Sequence, residues 1–181
     1  IDQDTDILVT HKPAGILTIN GKDIRETVLT RLQNIENKVL LIHRLDRDTS
    51  GLLVFALNKF AQSHISKQFQ ARSTEKTYHA IVEGTLHGEG QIDVPVCYDA
   101  AHPPLHIVDL KFNKPALTYF KVLEHLSMQG KAVTRVALTP ITGRSHQLRV
   151  HLQYLGHPII GDTLYATQEG QQLSQRLCLH A

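Results

Sequence analysis

The chain of 181 residues contains no tryptophan, two cysteines and one methionine, and it has no long apolar run. Two cysteines, Cys97 and Cys178, are too few for a disulfide framework, so we expect a protein of the reducing cytoplasm. A membrane-spanning helix needs roughly 20 consecutive apolar residues, which this sequence never offers. The opening Ile1-Asp2-Gln3-Asp4 also lacks a basic-then-apolar signal, so we expect no membrane partner.

A large excess of charge of either sign is also absent. The 19 Lys and Arg residues nearly balance the 17 Asp and Glu residues, for a net charge of +2, which excludes a histone-like or polybasic binder. The bases are nevertheless uneven, because residues 111–149 hold seven bases and one acid, and residues 38–76 hold seven bases and three acids. These stretches predict either the walls of an anion-binding groove or a solvated face.

The composition, 41% hydrophobic and 20% charged, is typical of one globular domain of this length. Periodicity and turn residues predict strands over residues 5–11, 52–57, 76–83, 117–124 and 133–139, and helices over 24–34 after Asp23, from Asn58 to about Arg72, and from Ser145 to near Gly156. The continuous apolar run at 52–57 predicts a strand buried on both faces. Many strands, few helices and hairpin-length connections favour an α+β fold with a largely antiparallel sheet.

Several nucleotide and metal signatures nearly match but fail. Gly15 and Gly21 resemble a phosphate-binding loop, yet five residues separate them instead of four, and Asp23 stands where Mg²⁺ ligation needs Ser or Thr. His146 and His151 are five residues apart, so a helix places them on different faces, and neither cysteine has a partner at zinc-finger spacing. We therefore expect no nucleotide cofactor and no metal ion.

Three longer segments place polar residues in apolar, glycine-punctuated contexts: HRLDRDTSGLLVFA at residues 43–56, KTYHAIVEG at 76–84 and ITGRSHQLRVHLQYLGHPIIGDTLY at 141–165. Taken alone, Asp46 in the first fits a turn aspartate as well as a catalytic one, and Tyr78 in the second fits a core tyrosine. In the third, Arg149 lies one turn inside a helix whose amino end carries Arg144 and Ser145. Unpaired N–H groups beside a basic side chain suit a phosphate.

Together, the three segments resemble the RluA-type pseudouridine synthases. HRLDRDTSG is similar to the catalytic-aspartate motif of that family, TGRSHQLRVHL to its arginine motif, and GHPIIGDTLY to the stretch that follows. The similarity runs from Asp4 to His180 in family order. It favours the small dual-specificity branch that acts on rRNA and tRNA, since no S4-type RNA-binding domain precedes the catalytic domain.

The resemblance implies a mixed, largely antiparallel sheet of eight strands flanked by helices, with a basic catalytic cleft that the two basic stretches would line. It implies that Asp46 is the catalytic aspartate, that Arg149 pairs with it, and that Tyr78 lies against the target base. Arg44 corresponds to a residue that fills the space left by the flipped nucleotide. With the helix amino end, this gives four predicted RNA-contact residues: Arg44, Arg144, Ser145 and His146.

We therefore expect one catalytic domain over residues 1–181, a monomer that isomerises uridine to pseudouridine in structured rRNA and/or tRNA without a cofactor. A non-catalytic RNA-binding module of the same fold is the alternative, and the joint presence of the three predicted catalytic residues argues against it. A metal hydrolase would lack a ligand set. Alternation at Leu177, Leu179 and Ala181 predicts a strand that continues in the family, so we expect the chain to be part of a slightly longer synthase.

Overall fold

The structure, a computed structural model, describes residues 2–21 and 26–181. It divides into two compact units, one comprising the residues up to Glu75 together with Ala181, and the other Lys76–His180. Among the described residues, the named strands pair antiparallel and are accompanied by a few helices, as predicted for an α+β fold. Hydrogen-bonded ladders group these strands into sheets of four, five and two.

The first unit is built on a four-stranded antiparallel sheet. It consists of β1 (Asp2–Gln3), β2 (Ile7–Lys12), α1 (Val28–Gln33), β3 (Leu40–Leu41), β4 (Gly51–Ala56) and α2 (Lys59–Ala71). The strand order is β1-β2-β4-β3, and Lys12 lies opposite Gly51. Gly51 has a φ of +135°, and the Ala181 backbone approaches it so closely that a Cβ would overlap it. Only glycine fits this position, at which residues 42–50 lead into β4.

Helix boundaries in the first unit follow their capping residues. Asn58 caps α2 by accepting from Ala61 N at 2.9 Å, and the helix ends at Arg72 in the left-handed conformation, both as predicted. α1 begins later than predicted because Thr27 closes a capping box there, whereas the predicted cap Asp23 lies outside the described residues. None of the helices in the described part of the chain has the length and apolar character needed to cross a lipid bilayer.

β4 is buried on one face rather than on both, which corrects the prediction for residues 52–57. Leu53 and Phe55 are fully buried, whereas Leu52 is 55% exposed. Neighbouring side chains point to opposite sides of a strand. A run of apolar residues therefore cannot show whether the second face is covered.

The second unit is built on a five-stranded antiparallel sheet with a separate two-stranded hairpin. It consists of β5 (Tyr78–Glu83), β6 (Glu89–Asp93), β7 (Val96–Tyr98), β8 (His106–Val108), β9 (Leu117–Met128), β10 (Lys131–Pro140), α3 (Gln147–Tyr154), α4 (Gln168–Gln172) and β11 (Leu179–His180). The five-stranded order is β11-β5-β10-β9-β6, and β7 pairs with β8. The predicted strands after residue 75 correspond to β5, β9, β10 and the short β11.

Helix α3 packs on the five-stranded sheet. Its Leu148 and Leu152 share one buried cluster with Ala80 of β5 and Leu138 of β10. Tyr78 borders the same cluster, so the predicted alternation along β5 is confirmed. Since α3 carries the predicted catalytic arginine, this packing positions the arginine relative to the sheet.

Candidate active site

Asp46 lies in the loop between β3 and β4, at the start of a turn. Its carbonyl oxygen accepts from Thr49 N at 3.2 Å, and the residue is half-buried. Arg44 and Arg47 on either side are exposed, and Arg47 binds Asp48 through Nε and Nη2 at 2.9 and 3.1 Å. The loop therefore presents a partly covered carboxylate between two exposed guanidinium groups.

Two buried polar side chains anchor the residues on either side of Asp46. Thr18 Oγ1 donates to Leu45 O at 2.9 Å and accepts from Leu45 N at 3.2 Å. On the other side, Lys12 Nζ donates to Arg47 O at 2.7 Å. Because both anchors bind backbone atoms of the neighbouring residues, they fix the loop without occupying the Asp46 carboxylate.

Lys12 is 0% exposed, although lysine is almost never fully buried without a partner. Its ammonium satisfies its remaining donors with Pro13 O at 3.0 Å and Ile16 O at 2.8 Å. Burial lowers the pKa of Lys12 to about 8, against the opposing attraction of the Asp48 and Asp46 carboxylates, so the group is mostly charged at pH 7. The sequence analysis missed Lys12, whose only signal was the Lys-Pro-Ala-Gly turn after β2.

Arg149 in α3 is held by Asp162, a residue that the sequence analysis did not single out. Arg149 donates from Nε to Oδ2 and from Nη2 to Oδ1 of Asp162, both at 2.7 Å, and the two residues are 3% and 1% exposed. Asp162 Oδ1 also accepts from Leu164 N at 2.9 Å and from Tyr165 N at 3.2 Å. The result is a buried, bidentate ion pair with further hydrogen bonds to its carboxylate.

The expected pairing of Arg149 with Asp46 connects the two units and stays a prediction. Within its own unit, the Nε–Nη2 edge of the Arg149 guanidinium is already occupied by Asp162, so a second carboxylate has to use another edge. The sequence did contain a signal for Asp162, because it lies in GHPIIGDTLY. That segment supported the resemblance, but none of its residues received a role.

A buried glutamine holds the loop that carries the predicted RNA-contact residues before α3. Gln147 Oε1 accepts from Thr142 Oγ1 at 2.8 Å and from Arg144 N at 3.0 Å. Its Nε2 donates to Leu117 O and to Thr118 Oγ1, both at 3.0 Å. The amide thus uses two acceptor and two donor positions, and it fixes the loop against the start of β9.

In that loop, Ser145 is exposed and Arg144 is half-buried, with Arg144 Nε and Nη2 each 3.4 Å from Pro115 O. His146 has a left-handed backbone, with φ at 54°, directly before the helix. The helix therefore begins at Gln147 rather than at the predicted Ser145. The Arg144 N–H is bound inside the protein by Gln147, so it does not serve the predicted phosphate site.

Tyr78 is the first residue of β5 and is half-buried. It borders the apolar cluster that α3 covers, so the structure brings Tyr78 to the side of the sheet where the helix with Arg149 packs. Asp46 and Arg44 belong to the other unit. Their association with Tyr78 and Arg149 stays a prediction.

The histidines behave mainly as hydrogen-bonding residues of the core and surface. His151 is fully buried between Thr118 Oγ1 at 2.9 Å and Val94 O at 3.0 Å, and burial lowers its pKa. His157 Nδ1 lies 2.8 Å from Glu83 O. Within residues 2–21 and 26–181, no three His, Cys, Asp or Glu side chains gather as a metal site would require.

Comparison with known protein families gives a match to the RNA pseudouridylate synthase family over residues 6–154. The dual-specificity RNA pseudouridine synthase RluA of Vibrio parahaemolyticus is 46% identical over 99% of this chain and 73% of its own length. The protein of the same name from Escherichia coli K12 is 42% identical, over 99% of this chain and 82% of its own.

Solved structures agree with these matches. Human RNA pseudouridylate synthase domain containing 1 superposes with a TM-score of 0.87 at 32% identity, covering 100% of this chain and 75% of its own. Human RNA pseudouridylate synthase domain containing 4 gives a TM-score of 0.74 at 25% identity, covering 99% and 80%. The predicted α+β pseudouridine-synthase fold is therefore confirmed.

The chain belongs to the RNA pseudouridylate synthase family. It is an RNA pseudouridine synthase, an enzyme that isomerises uridine to pseudouridine in RNA. The recognition from three sequence segments is confirmed.

Proposed function

We propose that this synthase uses Asp46, Tyr78 and Arg149 as its catalytic residues, on uridines of structured rRNA and/or tRNA. The observation that carries the proposal is the double anchoring of the Asp46 loop. Thr18 holds the residue before Asp46 and Lys12 holds the residue after it. Catalytic groups need fixed positions, and anchors that bind only backbone leave the carboxylate for chemistry.

The reaction breaks the bond between N1 of uracil and C1′, turns the base, and joins C5 to C1′, after which C5 loses its proton and the freed N1 gains one. The product is an isomer of the substrate, so no electrons and no external group are exchanged. This balance supports a mechanism without a nucleotide or redox cofactor. Asp46 either attacks C1′ or removes a C2′ proton, and both roles need its ionised carboxylate.

Arg149 and Tyr78 would complete the pocket. The Arg149 guanidinium is held rigidly by Asp162, so it can orient a carboxylate or a uracil oxygen without a large loss of side-chain entropy. Tyr78 offers a ring that stacks on uracil and a phenol that can take the C2′ or C5 proton. A lysine at position 149 would lack the planar fork.

The proposed RNA-contact residues are those that would bind the RNA once the target uridine has left its stack. A uridine inside folded RNA must leave its stack, which costs a few kcal/mol that the pocket has to offset. Arg44 is exposed and lies two residues before Asp46, which suits a guanidinium that replaces the lost stacking. Arg144, Ser145 and His146 would bind the adjoining backbone.

The whole chain would act as one catalytic domain, because the family match over residues 6–154 includes parts of both units. We expect a monomer, since all the proposed catalytic residues come from one chain, and light scattering of the purified protein tests this. We also expect action in the cytoplasm, because cysteines stay reduced there, as the two free cysteines of this chain require, and because rRNA and tRNA are present there.

One experiment tests the core of the proposal. Wild-type protein and the Asp46→Asn variant are incubated in EDTA with rRNA or tRNA that carries tritium at uridine C5, and tritium release and RNA binding are measured. Release by the wild type alone, with binding by both, supports the proposal. Binding by both without release by either on several RNAs would instead favour the non-catalytic RNA-binding module.

A further inference from the structure

Tyr165 contacts both members of the buried ion pair. It is 6% exposed, and the guanidinium carbon of Arg149 lies 4.9 Å from its ring centroid. Its backbone N–H donates to Asp162 Oδ1 at 3.2 Å. The ring therefore supports the face of a guanidinium whose edge is held by Asp162, and together they fix the plane of that group.

The hydroxyl of Tyr165 points to a different part of the site, the loop before α3. It accepts from His106 N at 2.9 Å and lies 2.7 Å from His146 Nδ1. The oxygen accepts the His106 N–H with one lone pair, and its own proton can be donated to His146 Nδ1. In that arrangement Nδ1 is the acceptor, and a neutral His146 imidazole carries its proton on Nε2.

His146 needs such support because its backbone is strained. An L-residue with φ near +54° is uncommon, and it persists only where the surroundings determine it. The ring of His146 meets the Tyr165 ring edge-on, with centroids 5.6 Å apart. The His106 ring lies 4.8 Å away, so ring contacts as well as the hydroxyl define the orientation of His146.

We propose that Tyr165 is a positioning residue with two separable roles. Its ring sets the plane of Arg149, and its hydroxyl sets the orientation and tautomer of His146. The proposal rests on the proposed functions of Arg149 in chemistry and His146 in RNA contact. Removing the hydroxyl should then affect RNA binding, whereas removing the ring should also affect the chemical step.

Two substitutions separate the roles. Tyr165→Phe removes one hydrogen-bonding group and keeps the ring, so we expect KM for RNA to rise about three- to tenfold, the size of one hydrogen bond, with kcat within about twofold. Tyr165→Leu removes the ring as well, and we expect kcat to fall at least about tenfold, the size of a desolvated cation–π contact. Tyr119→Phe, at a tyrosine 44% exposed in the same unit, is the matched control and should change neither constant.

A spectroscopic readout tests the geometry apart from activity, and Tyr165→Phe keeps the volume of the core should Tyr165→Leu fail to fold. Ring-nitrogen chemical shifts of His146, assigned by their loss in His146→Ala, should show Nδ1 unprotonated and Nε2 protonated in the wild type. The Tyr165→Phe variant should show a mixture of tautomers. A wild type protonated on Nδ1, or an unchanged tautomer in Tyr165→Phe, overturns the proposal.

The proposed function is tested separately by His146→Ala and Arg149→Met. If His146→Ala raises KM and Tyr165→Phe does not, the role of the Tyr165 hydroxyl is wrong and the role of His146 stands. If His146→Ala leaves KM unchanged, His146 does not contact the RNA. The proposed effect of the Tyr165 hydroxyl on RNA binding is then wrong as well. A folded Tyr165→Leu with wild-type kcat, beside an inactive Arg149→Met, would overturn the role of the ring alone.

Discussion

The Asp46 loop and the Arg149 helix hold their charged groups in opposite ways. In the loop, the anchors Thr18 and Lys12 bind the backbone of the residues on either side, and Asp46 itself stays half-buried. In the helix, the Arg149 side chain is itself bound, in a pair that is almost entirely buried with Asp162. Backbone anchoring leaves a side chain for reaction, whereas side-chain anchoring makes it a rigid part of the pocket.

The largest effect should come from the proposed catalytic carboxylate of the loop. Asp46→Asn keeps the shape of the loop and removes the ionised carboxylate, so we expect less than a few per cent of wild-type turnover. RNA binding should stay within about tenfold, because most affinity comes from phosphate contacts elsewhere. Tritium release and filter binding measure the two quantities. Turnover well above a few per cent would remove Asp46 from the mechanism.

Breaking the anchored pair should instead cost stability. Arg149→Met and Asp162→Asn each leave one buried partner unsatisfied, at a cost of about 3–5 kcal/mol in the free energy of unfolding. The double variant Arg149→Met, Asp162→Leu should lose less than the sum of the single changes, because no charge is left buried. Urea unfolding measures all three.

The matched control for this pair lies in the same unit. Arg135 and Glu124 form an ion pair at 3.2 Å with both side chains nearly half exposed, so Arg135→Met should cost less than about 1 kcal/mol. Equal losses for Arg149→Met and Arg135→Met would show that burial of the Arg149 pair contributes nothing.

Lys12 predicts a pH dependence of stability. Its pKa is lowered from 10.5 to about 8 in the folded protein, so between these pH values the unfolded chain binds more protons. The free energy of unfolding should therefore rise with pH across this window, by at most about 3 kcal/mol. Urea unfolding between pH 7 and pH 10.5 should show the rise in the wild type and not in Lys12→Met.

Lys67→Met is the control, because Lys67 is an exposed lysine of α2 in the same unit. It should keep the wild-type rise. Parallel curves for the wild type and Lys12→Met would mean that burial does not shift the Lys12 equilibrium.

The smallest effect should come from a basic side chain of the loop before α3. Arg144→Gln removes one proposed phosphate contact, so we expect about a three- to tenfold loss of RNA affinity and a salt slope shallower by about 0.7–0.9, within a total near −4 to −6. Titrations at several salt concentrations measure the slope. An unchanged slope in Arg144→Gln would place the RNA away from the loop before α3.

The features that could be predicted from sequence are those with local causes. Asn58 caps a helix because its partner N–H is three residues away, and β5 alternates because its register follows from its own side chains. The family was recognisable because three long segments occur together. Leu52 was misjudged, since the exposure of a strand face depends on what packs against it.

The missed residues share a different property. Lys12 reaches Arg47 across 35 positions, and the hydroxyl of Tyr165 reaches the His106 amide across 59. Asp162 is one carboxylate among many until the fold places it beside Arg149. A side chain that holds another residue in place contacts a partner that is distant in the sequence. Its role therefore cannot be predicted from the spacing of neighbouring residues.

The burial of Lys12 offers a way to measure local opening of the segment around Asp46. An amine that is enclosed by three carbonyl oxygens cannot meet an acylating reagent while the loop is closed. Its rate of acylation therefore reports how often the segment around Asp46 opens, in the way that amide exchange reports local unfolding. Lys67 on the surface would react without any opening, so its rate of acylation would serve as the internal reference. Mass spectrometry of the two peptides, with and without RNA, would then show whether substrate slows the opening of the loop that carries the carboxylate.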